Sequence, residues 1–415
     1  MKVWILQTGE PLHIDEGNIR PMRAMNLSNK LIEAGHSVVL WSSAFNHQTK
    51  KHRVQKYSTY HVNEKLEIRL IPSFGYNKHI GFARLVDHIQ LALNLKKMLK
   101  KEKEIPDVVF IGYPPIETAA ILSKWLKIRN IPMVLDVKDL WPQMFIDKFP
   151  SFLKPLGRLI FFPYFYLAKR TIRDVDCVSA MAPSFLTSVL SFADKEEKEL
   201  DRVLRLTTPI GQSSPEELLQ AKIWWKEKGQ DGSIPIIFFV GTFMSVFDFK
   251  PVYKAIKEIR GQGIKCNFVL CGSGDYLDNI KTMMQEFPNV FFPGWIERPK
   301  IESLAMISIA SIAPYNNIDN YTLNTPNKIV DALALGLPIL CPLEGEIASL
   351  IQNHNVGITY NKINPLEECI VKIITNKKLQ KEMAQNARNL YYQNFEFNKV
   401  YDDFVKHLET LANRQ

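Results

Sequence analysis

The chain has 415 residues and a formal charge of +9 at pH 7, with 46% apolar and 23% charged residues. Such a length exceeds one ordinary core and fits two domains, while the apolar share excludes disorder over long segments. The basic balance favours anionic partners, whether nucleic acid, a membrane surface or phosphorylated substrates, without choosing among them.

The run from Met1 to Glu10 is too short in apolar residues for a secretory signal, whose hydrophobic region needs about 7–15, and reads as a first strand. From Lys2 to about Leu206, short apolar runs alternate with helical patterns, which predicts βαβ units and a parallel sheet. Strands are expected at 3–7, 37–41, 66–71, 107–111, 133–136 and 176–179. Between the first strand and a helix from Met22 to Ala34 lies a loop carrying Gly17, Asn18, Ile19 and Arg20. Ligands of doubly wound sheets sit beyond the carboxyl ends of strands. The loop is therefore either ligand-facing, its glycine admitting close backbone approach, or a plain Gly-Asn turn.

The fifth strand runs into Asp136-Val137-Lys138-Asp139-Leu140-Trp141-Pro142-Gln143. Trp141 offers its face to a sugar or to the core, and Asp139 either accepts a hydroxyl proton or caps the next helix. Residues 151–170 combine bulky aromatics with Lys154, Arg158, Lys169 and Arg170, a pattern that suits either a membrane interface or a core helix kinked at Pro163. The longest apolar run, 159–168, is well short of the ~18 residues of a spanning helix.

A composition change over 205–233 reads as a linker. A second series follows, with strands expected at 236–241, 266–271, 290–292, 309–313, 339–342 and 357–360. Gly272-Ser273-Gly274-Asp275 follows a strand and opens a helix, so its amides can approach an anion. It lacks the third glycine and the acid of a dinucleotide fingerprint, which counts against a dehydrogenase. From Asn324 to Cys341 the chain reads as turn, helix, glycine stop and buried strand. Thr325 is the expected N-cap, Pro326 the first helical residue, Ile329, Leu333 and Leu335 the apolar stripe, and Gly336 the stop. Lys328 adds a charge to the positive helix start, a poor choice for helix stability but a good one for holding phosphate. The five cysteines show no paired metal spacing and sit in apolar surroundings, which suggests buried free thiols in a reducing cytoplasm.

The Pro-Asn-Lys start at 326–328, with Ser-Ile-Ala-Pro at 311–314, resembles the nucleotide-sugar site of family-four GT-B glycosyltransferases of bacterial O-antigen and capsule assembly. Asp-Leu-Trp-Pro at 139–142 resembles the Arg-Asp-Leu-Trp-Pro-Glu of acetamido-sugar transferases, with Lys138 and Gln143 replacing the flanking residues. Gly-His-Ser-Val at 35–38 and Pro-Gly-Trp-Ile at 293–296 resemble further motifs of the same family. The chain departs from the pattern in three places. Leu323 stands where relatives carry a sugar-orienting Glu, Pro-Ile-Gly at 209–211 replaces Pro-Asn-Gly, and Val240 to Ser245 lacks the Gly-Arg and following Lys that neutralise the leaving diphosphate.

The resemblance implies an α/β chain of two Rossmann-like doubly wound domains, 1–204 for the acceptor and 234–394 for the nucleotide sugar, facing a central cleft. Residues 395–415 would form a helix crossing back to the first domain. Donor contacts would come from Gly17, Asn18, Arg20, Gly241, Thr242, Gly272, Ser273, Gly274, Pro326 and Asn327. Asp331 would hold the ribose and the backbone around Ile296 the base, with Trp295 either beside it or as buried support. Lys328, aided by Arg298 or Arg20, would replace the missing basic pair, and Asp139 would be the candidate for the acceptor proton. The implied reaction moves an N-acetylated hexosamine or deoxyhexosamine from a UDP-sugar to a polyprenyl-diphosphate-linked saccharide, with retention and with no metal or cofactor. It would occur at the inner face of the cytoplasmic membrane, reached through 153–170, and would involve no nucleic acid. A UDP-sugar 2-epimerase and a non-catalytic sugar-nucleotide-binding subunit of a polysaccharide assembly are the alternatives.

Overall fold

Runs such as Val108–Tyr113 and Ile236–Val240 are almost wholly buried, as central strands are when helices cover both faces of a parallel sheet. The computed structural model describes every residue except Asn18, Lys78, His79, Ile80, Lys148 and Gln415. The chain divides into two compact units, Met1–Arg205 with Asn398–Gln415, and Leu206–Phe397.

The first unit holds eight strands in the spatial order Arg202–Val203, Cys177–Ala180, Met133–Val137, Val108–Tyr113, Lys2–Leu6, Ser37–Ser43, Leu66–Ile71 and Ser58–Asn63. All neighbours pair in parallel except the last two, which are antiparallel. Chain order reverses between Lys2–Leu6 and Val108–Tyr113, so the loops after these strands diverge and leave a crevice there. The second unit holds six parallel strands in the order Val290–Gly294, Asn267–Cys271, Ile236–Val240, Ala310–Ile312, Ile339–Cys341 and Gly357–Thr359. This is the strand order of a dinucleotide-binding sheet, with its reversal between Ile236–Val240 and Ala310–Ile312.

Every strand expected from an apolar run is present, its ends within two residues of expectation. The runs gave no sign of Ser58–Asn63, an edge strand almost wholly exposed and therefore under no pressure to be apolar. The stretch read as a linker contains the helix Pro215–Glu227, opened by a capping box between Ser214 and Glu217. Trp225 on that helix is buried and donates its indole N–H to the Lys300 carbonyl at 2.8 Å, which places the helix in the second unit's core.

The helix Phe397–Ala412 packs with the first unit. Phe404 meets Phe110 edge-on at 5.6 Å, and His36 and Glu409 are 2.8 Å apart. Residues 154–174 form two helices, Lys154–Ile160 and Phe162–Asp174, that break at Phe161 rather than kinking at Pro163. Among the described residues, no helix is long and apolar enough to cross a membrane.

Candidate functional site

In the second unit, the helix Asn327–Leu335 begins after Pro326, which itself occupies the N-cap position. Thr325 therefore lies one residue outside its expected role, and no side chain caps the helix. At the other end Gly336 adopts φ 67°. Its N–H bonds Leu333 O and the Leu337 N–H bonds Ala332 O, a Schellman ending that only a left-handed residue permits cheaply.

Lys328, in the first turn, reaches the end of Ile236–Val240. Its ammonium donates to Val240 O and lies 4.3 Å from the Phe239 ring centroid and 5.1 Å from that of Phe247. The cation stands over Gly241, where an added Cβ would fall 1.7 Å from Nζ. Gly272 is packed as closely, its missing Cβ lying 1.8 Å from Gly241 O. Main-chain bonds from Gly241 to Cys271, from Phe243 to Ser273 and from Gly272 to Gly294 lace these loops together. The structure thus gathers Gly241, Thr242, Gly272, Ser273, Gly274 and Lys328 at the carboxyl ends of neighbouring strands beside the reversal in strand order. Thr242 and Ser273 are exposed there.

Pro326 is buried and Asn327 exposed at the start of the same helix. Asp331, one turn further on, is half-buried near Tyr315, whose phenol is raised well above its usual pKa by burial first, then by Tyr321, Cys341 and Asp331. Ile296 is buried, whereas Trp295 is 63% exposed and is not internal support. Arg298 does not join the cluster: its guanidinium bonds Pro209 O, Gln212 Oε1 at 2.8 Å and Glu302 Oε1 at 3.0 Å, tying the loop 209–212 to its own helix.

In the first unit a polar cavity of about 190 Å³ lies where its strand order reverses, walled by Gln7 to Glu10, Pro114, Pro115, Lys138 and Asp139. The Glu10 carboxylate accepts the Ala24 N–H at 2.8 Å and pairs with the Lys138 ammonium. Below it, Arg23 pairs with Asp136 at 2.6 Å, and Ser179 Oγ donates to the same oxygen at 2.9 Å. Burial opposes the Arg23 charge, but Asp136, Tyr401 and Glu10 outweigh it and raise its pKa. Asp139 is not a helix cap, since Pro142 holds that position before Gln143–Ile146 without any side-chain bond. Trp141 is buried, with Phe145 at 4.5 Å and the Arg84 guanidinium over its ring at 4.9 Å, so it belongs to the wall and not to an open sugar platform. Gly17 and Arg20 are exposed, and Asn18 lies outside the described residues.

Sequence reasoning missed the opposite wall of this cavity: His47, Tyr76, Arg84, Asp87 and His88. The spacing of Arg84, Asp87 and His88 was a usable signal, because i, i+3 and i+4 share one helix face. Burial, Arg84 and His47 push His88 down to about 3.

Residues 221–413 match the model of the family described as Glycosyl transferases group 1. An uncharacterised glycosyltransferase of Methanocaldococcus jannaschii is 25% identical over 181 residues, which take in 42% of this chain and 45% of that relative. Sucrose-phosphate synthase of Thermosynechococcus elongatus superposes over 100% of both chains with TM-score 0.74 at 13% identity. This is the GT-B fold. The GT-B likeness extends to WaaG, a glycosyltransferase involved in lipopolysaccharide biosynthesis, with TM-score 0.65 and 14% identity over 98% of this chain and 99% of that one. It also extends to Anabaena HepE in complex with UDP, with TM-score 0.64 and 15% identity over 99% of each chain. Within the GT-B frame, the loops gathered around Gly241 and Lys328 occupy the ligand end of the second sheet.

Proposed function

We propose that this protein is a glycosyltransferase that moves a sugar, an N-acetylated hexosamine or deoxyhexosamine, from a UDP-sugar to a hydroxyl of a polyprenyl-diphosphate-linked saccharide in surface-polysaccharide assembly. The observation that carries this reading is the Lys328 ammonium held over Gly241 among close-packed glycine loops at a helix start, an arrangement suited to a diphosphate. The matched family and the UDP complex of a neighbour of the same fold support a nucleotide-sugar donor.

In the reaction the bond from the anomeric carbon to the β-phosphate oxygen breaks and UDP leaves with the electron pair. The acceptor oxygen bonds the anomeric carbon on the same face, so configuration is retained. Negative charge grows on the departing diphosphate, where Lys328 and nearby loop amides stabilise it without reorganisation. The acceptor proton passes to the leaving phosphate or to Asp139, which lines the polar cavity of the first unit. Asp331 holds the ribose.

The helices around Phe161 carry exposed Phe152, Leu156, Leu159, Ile160, Phe162 and Tyr166. Together with Lys154 and Arg158 they form an apolar and basic face suited to the inner surface of the cytoplasmic membrane. The decisive experiment is release of UDP from a panel of UDP-sugars with and without lipid-linked saccharide. Acceptor-dependent release supports transfer, and absence of UDP release or UDP binding overturns it.

A further inference from the structure

The two large sheets end in four edge strands, and three of these are poor templates for a further strand. Arg202–Val203 is two residues long, Gly357–Thr359 is three, and Val290–Gly294 contains Pro293, which has no N–H to donate. Ser58–Asn63 is different. It has six residues, no proline, and none of the lysines, arginines or carboxylates that keep sheet edges apart. Leu66–Ile71 pairs with it on one side and, among the described residues, no strand pairs with it on the other, so a row of main-chain N–H and C=O groups faces outward. Thr59, Tyr60 and Val62 favour extended backbone, and all three are exposed, as is Tyr57 just before the strand.

Formal charge stands only beyond the ends of this strand. Lys56 precedes it and Glu64 and Lys65 follow it in the turn, all exposed. A second copy laid parallel would set Lys56 beside Lys56 and Glu64 beside Glu64. Laid antiparallel about a two-fold axis at Tyr60, it sets Lys56 of each copy against Glu64 of the other, while Lys65 meets the uncharged Gln55. Tyr60 then faces its own copy, an aromatic cross-strand pair, and Thr59 faces His61. The register shift between His61 and Asn63 leaves Ser58 to His61 regular, so these central pairs fall in undistorted backbone.

We propose that Ser58–Asn63 is the contact surface for a second copy of this chain, the two strands pairing antiparallel about Tyr60 and joining the first-unit sheets of both copies. One strand pair is a small contact, below the roughly 1,200 Å² of stable interfaces, so the dimer forms reversibly as concentration rises. Because Ser58–Asn63 runs against Leu66–Ile71, the parallel strands of the two copies point in opposite directions. Their polar cavities lie at opposite ends of the joint sheet, and neither copy completes the other's site.

Sedimentation velocity of the full chain from low to high micromolar protein tests it. The parent is expected to pass from monomer to dimer. Tyr60→Lys and Tyr60→Glu, at an exposed position, should each weaken dimerisation at least tenfold with unchanged melting, because like charges then face each other across the axis. An equimolar mixture of the two variants should recover the dimer, since opposite charges meet there. Tyr60→Cys should cross-link under mild oxidation, facing Cα atoms of an antiparallel pair lying about 4.5–5.5 Å apart, within disulfide reach. Tyr57→Cys should not, its copy being six residues further along, about 20 Å away. The native cysteines are all buried and do not compete. A parent that stays monomeric, a dimer that survives Tyr60→Lys, a mixture that stays monomeric, or equal cross-linking at 57 and 60 overturns the proposal.

Discussion

Lys328 Nζ fills the space that Gly241 leaves by having no side chain: a Cβ there would lie 1.7 Å away. At Gly272 the equivalent obstacle is the Gly241 carbonyl oxygen, at 1.8 Å. The two glycines therefore respond differently to alanine. Both variants carry backbone strain of about 1–3 kcal/mol, since φ is 156° and 134°. The flexible end of Lys328 can swing aside, whereas main chain cannot. Gly241→Ala should remain folded and lose UDP-sugar turnover, and Gly272→Ala should be the more destabilised in urea unfolding. The reverse order of stabilities would contradict this packing.

Lys328→Ala should lower turnover about 10²-fold, the scale of losing one group that stabilises transition-state charge. Lys328→Arg keeps the charge and should retain more activity, though its wider head must fit between Gly241 and the Phe239 and Phe247 rings. Equal UDP release by the alanine variant and the parent would remove Lys328 from the site.

Asp331→Ala should act on nucleotide affinity, because a hydrogen bond from a ribose hydroxyl to a charged acceptor contributes about 1.5–3 kcal/mol. Asp331→Asn should be milder. Calorimetry with UDP checks both, and unchanged affinity with a lowered melting temperature would make Asp331 a support for Tyr315.

His88 connects stability to pH. It is buried beside Arg84, which is 3.5 Å away, with His47, Tyr76 and Trp141 around it. Its pKa falls from 6.5 to about 3 on folding, so between these values the unfolded chain binds a proton that the folded chain does not. Stability is then full above pH 6.5 and declines as pH falls through the window, by about 2 kcal/mol at pH 5. Urea unfolding at pH 7 and pH 5 should show this loss, and His88→Gln should reduce it. An unchanged pH slope in the variant would rule out His88 as its source.

Binding to anionic vesicles should depend on Phe152, Leu159 and Phe162, which are 79%, 72% and 63% exposed. Replacing all three with serine should abolish co-sedimentation at low salt and leave melting unchanged. Phe161 and Phe165 are poorer probes, being half-buried and packed on Phe145 and Phe192. Each Lys or Arg near such a surface adds about 1 kcal/mol, screened by salt. Lys154 and Lys169 are already paired with Asp147 and Asp194, which places more of the attraction on the apolar side chains. Absence of sedimentation by the parent protein would remove the membrane face.

The sheets were legible in the sequence because strands covered on both faces must be continuously apolar, as Ile236–Val240 and Val108–Tyr113 are. So was the helix stop at Gly336, a local matter of left-handed backbone. Local pattern could also place Lys328 in a first turn. It could not place that ammonium over Gly241, because the two are brought together by strand order and not by any neighbouring motif. The same non-local pairing ties Arg298 to Pro209 and Gln212 instead of to the cluster around Lys328. In the first unit, the sheet topology alone gathers Glu10, Asp139 and the face of Arg84 and His88 into one cavity. Periodicity reports which side of an element is buried; which other element lies against that side depends on long-range packing, and the chemistry of this protein is decided there.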